Sequence, residues 1–285
     1  MGLRTDDPLS VRMAHLVMAL LNQNVGTPRR ELALSYSSIF GSSQRAYRFF
    51  DHAVAKGSAG LSPSLFLSAL PNMPAGYLSM FLGSRRGMAV RWGGSPLTSA
   101  ISWLRSGRES HVLAIAGDCI SDQAVDAMAK SGYREHHPIL TEGVAALLLT
   151  AAPENATPPA EILGFATSKS ANLEEIRSRT IDETRAVCTM TDAICDACVR
   201  RHDIDFIALC GSSRDSADVQ AIKKLGLGGR RFLSPKDSIG ETLSASGLAS
   251  IVYVLGLHLL NPSTIMLNDL QLTGEFSTTV IRLCN

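Results

Sequence analysis

Short apolar runs alternate along this chain of 285 residues with longer segments that mix apolar and polar positions. The short runs predict buried strands, and segments with apolar residues three or four positions apart predict helices. Strands are predicted at residues 32–36, 89–92, 112–116, 144–150, 161–166, 205–210, 264–267 and 278–283. Helices are predicted at residues 11–21, 43–55, 64–70, 75–82, 96–105, 122–131, 180–200, 216–224 and 242–257. Strands that are apolar on both faces and alternate with helices predict an α/β fold whose sheets are covered on both sides.

The chain divides most naturally at residues 152–160, which are rich in proline and alanine. The alternation of strands and helices resumes after this segment, so the second part repeats the order of the first. We therefore expect an N-terminal half at residues 1–151 and a C-terminal half at residues 161–285, joined in one compact domain.

The charge balance gives no argument for a nucleic acid or membrane partner. The net charge is +1 and charged residues make up 19% of the chain. Residues 1–10 are polar and charged, which is not typical of a signal peptide, and the apolar run at 251–260 is too short to span a bilayer. The six cysteines form no recognisable disulfide framework, so we expect a reducing, cytoplasmic location.

Three segments carry motifs that periodicity does not explain. Residues 63–76 contain P-S-L-F followed by N-M-P-A-G, and lead through a glycine-containing turn at 83–87 to the strand at 89–92. Residues 206–213 read F-I-A-L-C-G-S-S, and residues 236–247 read K-D-S-I-G-E-T-L-S-A-S-G.

These segments resemble the β-ketoacyl synthases, a branch of the thiolase-like proteins. The resemblance implies a thiolase-like fold with layers ordered α-β-α-β-α, shortened relative to typical ketosynthases. It also implies a site with a nucleophilic cysteine at the start of a buried helix and two histidines that stabilise the oxyanion and enolate.

The catalytic positions of the family are not kept in this chain. The nucleophile falls on Gly94 when counted from Ala89-Val90, or on Pro96 when counted from Arg86-Gly87, and neither residue has a thiol. The two histidines fall on Cys210 and Glu241, whereas Lys236 matches the family lysine. The first cysteine, Cys119, follows the next strand and is expected to be a packed or surface thiol.

The residues at these positions have structural and catalytic interpretations. Ser95 is the candidate nucleophile nearest to these positions, but a serine before Pro96 is typical of a helix N-cap. Cys210 ends an apolar strand and fits a small core residue. Glu241 fits a helix-capping carboxylate or a partner of Lys236, and could alternatively act as a general base. If the site is active, Ser95, Lys236 and Glu241 are the candidates.

One further cluster has the residue types of a metal site, namely Cys188, Cys195, Cys198 and His202. We expect the last three to share a helix face. Closed zinc sites usually draw ligands from loops or from two elements, so a buried helix face is the favoured interpretation. We predict no metal and no cofactor.

The resemblance leads to a prediction about function. We expect a non-catalytic subunit, similar to the chain-length factors of type II polyketide synthases, that pairs with an active ketosynthase in polyketide or fatty acid assembly. Autonomous condensing activity is not expected. The alternative is an enzyme with a repurposed site for acyl transfer, hydrolysis or cyclisation of a carrier-bound chain, and a third possibility is a homodimeric module that binds acyl chains.

The expected partners follow from the same resemblance. They are an active ketosynthase, or a second copy of this chain, and an acyl carrier protein. The resemblance also implies dimerisation through the strand around residues 112–116, which in the family pairs with its counterpart across the interface, and an apolar strand edge needs covering. Arg85, Arg86, Arg230 and Arg231 are candidates for a basic docking surface for the acidic carrier, with solvated surface arginines as the plainer interpretation.

Overall fold

The computed structural model describes residues 7–24, 26–58, 61–130, 139–151, 158–178, 180–211, 216–257 and 262–284. The strands are β1 (Ala33–Ser38), β2 (Met88–Trp92), β3 (His111–Asp118), β4 (Gly143–Thr150), β5 (Ala160–Lys169), β6 (Phe206–Ala208), β7 (Arg231–Leu233), β8 (Thr264–Leu270) and β9 (Glu275–Leu283). The helices are α1 (Pro8–Gln23), α2 (Ser43–Lys56), α3 (Pro63–Ala69), α4 (Met73–Leu82), α5 (Leu97–Arg105), α6 (Asp122–Lys130), α7 (Leu173–Ser178), α8 (Glu183–Asp196), α9 (Val219–Lys224), α10 (Pro235–Ile239) and α11 (Ser246–Gly256).

The first sheet has the strand order β2-β1-β3-β4, in which β1 is parallel to both neighbours and β4 is antiparallel to β3. Strand β3 is buried along nearly all of its length, and its side chains alternate between two cores. Leu113 and Ile115 pack against α1 and α4, whereas Val112 and Ala114 pack on the side of α5. This two-residue period explains why the strand is apolar on both faces.

The second sheet has the order β5-β9-β8-β6-β7. Strands β5, β9 and β8 are antiparallel neighbours, and β6 is parallel to β7 and β8. In β8, Ile265 and Leu267 face the same central core as α5, whereas Met266 faces the helices α8 and α9 on the other side.

Helices α5 and α11 form the layer between the two sheets. Ile101 of α5 and Ile251 of α11 belong to one apolar cluster with residues from both sheets. With α1 and α4 outside the first sheet and α8 and α9 outside the second, the chain has the predicted layered α-β-α-β-α architecture. Both sheets are thereby covered, which buries their strands without requiring a polar face.

The sequence pattern misplaced several helices. The predicted helix at 180–200 is shorter in the structure, covering only Glu183–Asp196 and preceded by the separate α7. The predicted helix at 242–257 begins at Ser246, because residues 243–245 form a 3₁₀ turn in which Leu243 has a φ of 53°. The segment between α9 and residue 241 was expected to be a loop but contains β7 and α10. Short elements of this kind lack enough residues to show a period.

The strand predicted to form a dimer interface lies inside a sheet. Residues 112–116 belong to β3, which pairs with β1 on one side and β4 on the other. Its backbone hydrogen bonds are therefore used within the chain, and the prediction that this strand meets a partner is wrong. The edge strands of the first sheet are β2 and β4, which among the described residues pair only with β1 and β3, respectively.

Within the described parts of the chain, no single helix is long and apolar enough to cross a membrane. The pair α3 and α4 reaches the required length and composition together, but the two helices are bent by 98° with respect to each other.

Candidate functional site

A buried ion pair occupies two of the motif positions. The Nζ atom of Lys236, in α10, lies 2.8 Å from Oε2 of Glu241, and the side chains are only 4% and 3% exposed. Lys236 also lies 3.8 Å from Oδ1 of Asp269, at the end of β8. The predicted pairing of Glu241 with Lys236 is therefore present, and the lysine lies between two carboxylates.

The backbone around Glu241 is held by the first half of the chain. The Glu241 amide donates to the Ile139 carbonyl at 2.9 Å, and the Glu241 carbonyl accepts from the Thr141 amide at 2.9 Å. Gly240 has a φ of 75°, and a β-carbon there would overlap the Thr141 hydroxyl. Only glycine fits this close approach, which places the Glu241 side chain inward.

The Glu241 carboxylate is fully engaged. Besides Lys236, it accepts hydrogen bonds from the Leu243 amide at 2.9 Å and from the Ser246 hydroxyl at the start of α11. The predicted cap of a helix from Thr242 is not formed, because α11 begins at Ser246; the carboxylate instead binds the Leu243 amide of the 3₁₀ turn before it. The carboxylate accepts hydrogen bonds from an amide, a hydroxyl and an ammonium group, which stabilise its charged form. It is therefore poorly placed to take a proton from a substrate.

Cys210 is buried and lies two residues after the end of β6, so it is not part of the strand that was predicted at 205–210. Its amide donates to Oδ2 of Asp218 at 3.3 Å, and its sulfur lies 3.7 Å from the Ser216 hydroxyl. Burial raises the pKa of the Cys210 thiol well above its usual value, and the negative charge of Asp218 raises it further. The thiol is therefore protonated and unreactive at neutral pH, in agreement with the core interpretation.

The nucleophile position lies in the loop between β2 and α5. The Ser95 hydroxyl accepts from the Leu97 amide at 3.3 Å, but Ser95 is not the predicted N-cap, because Pro96 occupies that position and α5 begins at Leu97. The Ser95 amide donates to Oε1 of Glu275 at 2.6 Å, and Arg91 Nη2 lies 2.9 Å from Oε2 of the same carboxylate. Glu275, the first residue of β9, thus lies against the loop.

The structure does not join the candidate residues into one catalytic unit. Among the described contacts, Ser95 is engaged with Leu97 and Glu275, whereas Lys236 and Glu241 are engaged with each other. Glu275 was missed by sequence reasoning, and so was Asp118, whose Oδ1 accepts from the Ser38 hydroxyl at 2.6 Å and whose Oδ2 accepts from the Ser244 amide at 3.1 Å. Charged residues at the ends of apolar strands were the signal that could have found both.

The other cysteines form no metal site. Cys188, Cys195 and Cys198 are exposed, which contradicts the expectation of a buried helix face. Cys198 lies beyond the end of α8 with a φ of 52°, so it does not share a helix face with Cys195 or His202. No group of three or more metal-ligating side chains is positioned to hold an ion anywhere in the described ranges.

Cys119 is a packed thiol. It is buried, and its sulfur lies 3.6 Å from Oε1 of Glu142. Burial, with the Glu142 charge as the next cause, raises its pKa to about 11. It therefore offers no replacement for the missing nucleophile.

The comparisons with known proteins agree with this fold. The family model of the β-ketoacyl synthase C-terminal domain matches residues 159–260. A comparison with curated proteins by sequence gives no match. The family resemblance is therefore confirmed in sequence for the C-terminal part, and the structural comparisons extend it as a likeness of fold to the rest of the chain.

Several solved structures share the fold. A chain of the AntDE:AntF complex, a type II polyketide synthase acyl-carrier protein with its ketosynthase, has a TM-score of 0.81 at 16% identity, over 99% of this chain and 86% of that one. A β-ketoacyl synthase from Burkholderia phymatum gives 0.78 at 19% identity, over 100% and 86%. The ishigamide ketosynthase/chain length factor gives 0.74 at 16% identity, over 90% and 76%.

Proposed function

We propose that this chain is a non-catalytic ketosynthase-like subunit that pairs with an active ketosynthase, in the manner of a chain-length factor. The observation that carries the proposal is the state of the family's catalytic positions. Gly94 and Pro96 have no thiol, Cys210 is a buried protonated thiol, and Glu241 is saturated by Lys236 and its other donors. Without a nucleophile, no acyl-enzyme forms, and autonomous condensation is not expected.

The edge of the first sheet that is formed by β2 supports a role in pairing with another subunit. Strand β2 has no second neighbour among the described strands, so one row of its backbone amides and carbonyls is not paired with any of these strands. Met88, Val90 and Trp92 on this strand are 45%, 44% and 68% exposed. An edge strand with large apolar side chains needs covering, because it would otherwise pair with other chains without specificity. We infer that a ketosynthase subunit, or a second copy of this chain, binds here.

An acyl carrier protein is the second proposed partner. One of the solved relatives is described as a carrier protein in complex with its ketosynthase. Of the arginines considered for docking, Arg86 is already engaged by Glu31, with Nε 2.7 Å from Oε2. Arg231 lies 5.9 Å from the centre of the Phe206 ring. Arg85 is exposed, and we propose it as the contact residue for an acidic partner.

The alternative function is acyl transfer, hydrolysis or cyclisation by Ser95 with Lys236 and Glu241. The geometry favours it less, because Ser95 is 5% exposed and its described hydrogen bonds go to Leu97 and Glu275. A homodimeric acyl-binding module is supported by a partly open, mainly apolar cavity of about 730 Å³ lined by residues of α5, β4, β5 and α11.

Co-expression with a ketosynthase encoded beside this chain tests the proposal. We expect co-purification as a heterodimer, measured by light scattering, and a product whose chain length depends on this chain. Incubation of this chain alone with an acylated carrier protein should leave its intact mass unchanged. A stable acyl adduct on Ser95 would favour the enzyme, and a homodimer that ignores the ketosynthase would favour the binding module.

A further inference from the structure

The Glu275 carboxylate is a contact between the two halves of the chain. Its side chain is 6% exposed, and its two oxygens are used by the Ser95 amide at 2.6 Å and by Arg91 Nη2 at 2.9 Å. Glu275 comes from the second sheet, whereas Ser95 and Arg91 come from the first half. The carboxylate is therefore placed at the start of α5, where the helix amides favour negative charge.

This carboxylate and its partner arginine fill the space beside Gly94. A β-carbon at Gly94 would lie 2.6 Å from Oε2 of Glu275 and 2.9 Å from Nε of Arg91, and real β-carbons essentially never approach other atoms closer than 3.0 Å. The φ angle of Gly94 is outside the left-handed region, so the backbone itself admits other residues. The requirement for glycine is thus one of space.

The turn that carries Glu275 is fixed from two sides. The Thr273 hydroxyl donates to the Gly93 carbonyl at 2.7 Å, which ties the turn to the loop before α5. On the other side, the Gly274 carbonyl accepts from the Ser170 amide at 3.1 Å and from Arg185 Nη1 at 3.3 Å. These bonds fix the backbone beside Glu275, so its carboxylate can move away from position 94 only by rotation of the side chain, which would break its bonds to the Ser95 amide and to Arg91.

We propose that Glu275 is a built-in plug of the nucleophile position, which takes both the space of a side chain at 94 and the nearby amide of Ser95. This inference deepens the proposed function, because it rests on Gly94 as the position of the lost nucleophile. The plug closes the site to an acyl group. Because Glu275 belongs to the second half and Gly94 to the first, the packing between the two halves depends on the absence of a side chain at position 94. Restoring a side chain at 94 then requires removal of the plug.

A double-mutant cycle tests the coupling. Gly94→Ala should lower the melting temperature by several degrees in the native background, because the new β-carbon meets Glu275 and Arg91. Glu275→Ala should also be destabilising. In the Glu275→Ala background, however, Gly94→Ala should add little or no further loss, because the carboxylate is absent and Arg91, no longer bound to it, can move away from position 94. Losses that simply add would overturn the proposal.

Two matched variants separate space from other causes. Glu275→Gln keeps the shape of the side chain, so Gly94→Ala should remain costly in that background. Gly229→Ala tests the substitution itself, since this glycine is exposed, is outside the left-handed region and has no atom within 4 Å of the point where a β-carbon would lie. It should leave the melting temperature nearly unchanged in both the native and the Glu275→Ala background. A large drop in melting temperature for Gly229→Ala would contradict the proposal, because it would show that a glycine-to-alanine change is costly even where a β-carbon meets no other atom.

Alkylation by iodoacetamide, mapped by mass spectrometry, gives a chemical measurement. The introduced thiol of Gly94→Cys should react in the Glu275→Ala background and should be protected, or the protein misfolded, in the native background. Cys188, which is exposed, serves as the reactive reference, and the buried Cys210 as the unreactive one. Equal reaction, or failure to fold, in both backgrounds contradicts the plug. These measurements need no partner, so their failure is distinguishable from failure of the ketosynthase pull-down.

Discussion

At the scale of single residues, Lys236 explains why a carboxylate, Glu241, can be buried at the position predicted to match a family histidine. Lys236 and Glu241 are buried and 2.8 Å apart, so each offsets the cost of burying the other. The carboxylate also satisfies the Leu243 amide and the Ser246 hydroxyl, which orders the turn before α11. The site therefore stays polar, but both carboxylate oxygens of Glu241 already accept hydrogen bonds and are not available to take a proton from a substrate.

Glu241→Gln should therefore act on stability. Removing the charge leaves Lys236 with a weaker partner, and breaking a buried pair costs about 3–5 kcal/mol. We expect a lower melting temperature by calorimetry and, in the reconstituted system with a ketosynthase, an unchanged product profile.

The matched control is Glu161→Gln. The Glu161 side chain is 58% exposed and lies 3.7 Å from Arg282, so this change should alter stability by less than about 1 kcal/mol. A Glu241→Gln protein that is as stable as the parent but has lost an acyl-transfer activity would instead identify Glu241 as a general base.

At the scale of elements, the position of a strand in its sheet decides whether it can meet a partner. Strands β2 and β3 are both short and apolar in sequence, and the pattern of apolar residues does not show which of them lies at the edge of a sheet. In the structure β3 has a neighbour on each side, whereas β2 has one and exposes Val90 and Trp92. Partner contacts are therefore proposed at β2 and no longer at residues 112–116.

Val90→Lys tests this edge. A charged side chain in the middle of β2 should weaken pairing with another subunit while leaving the chain folded, because Val90 is 44% exposed in the single chain. We expect a shift toward monomer in light scattering, or loss of the ketosynthase in a pull-down.

Val252→Lys is the matched control, since Val252 has the same residue type and is 45% exposed on α11, away from β2. It should leave the oligomeric state unchanged. Loss of pairing by both variants, or by neither, would place the interface elsewhere.

At the scale of the whole molecule, the two halves are joined by polar contacts in addition to the packing of the central helices. Asp118 of β3 accepts from the Ser244 amide in the second half, and Glu275 of β9 binds the Ser95 amide in the first. Arg105 of α5 lies 2.7 Å from Asp196 of α8. We propose that residues 1–151 and 161–285 form one compact folding unit.

This proposal predicts a single unfolding transition. In calorimetry the chain should unfold with equal calorimetric and van't Hoff enthalpies. Asp118→Asn should lower the melting temperature without splitting the transition. The change weakens the hydrogen bonds that this buried side chain accepts from Ser38 in the first half and Ser244 in the second. Two resolved transitions in the parent protein would show that the halves are independent.

The sequence by itself determined the class of the fold, and it predicted that the family's catalytic residues are absent. Apolar strands that alternate with helices imply covered sheets wherever they occur, and the missing thiol and histidines are visible in the motifs because residue identity is local information. The pairing of Lys236 with Glu241 was also predictable, because five positions separate the two residues and opposite charges in a buried segment need partners.

The tertiary structure alone decided the partners that are distant in the chain. Glu275 reaches Ser95 across 180 positions, and Asp118 reaches Ser244 across 126. The edge position of β2 follows from the strand order, which depends on the packing of all strands at once. Periodicity reports which face of an element is buried, but it carries no information about which distant element covers that face. For this reason the plug at Gly94 and the open sheet edge emerge only from the folded chain.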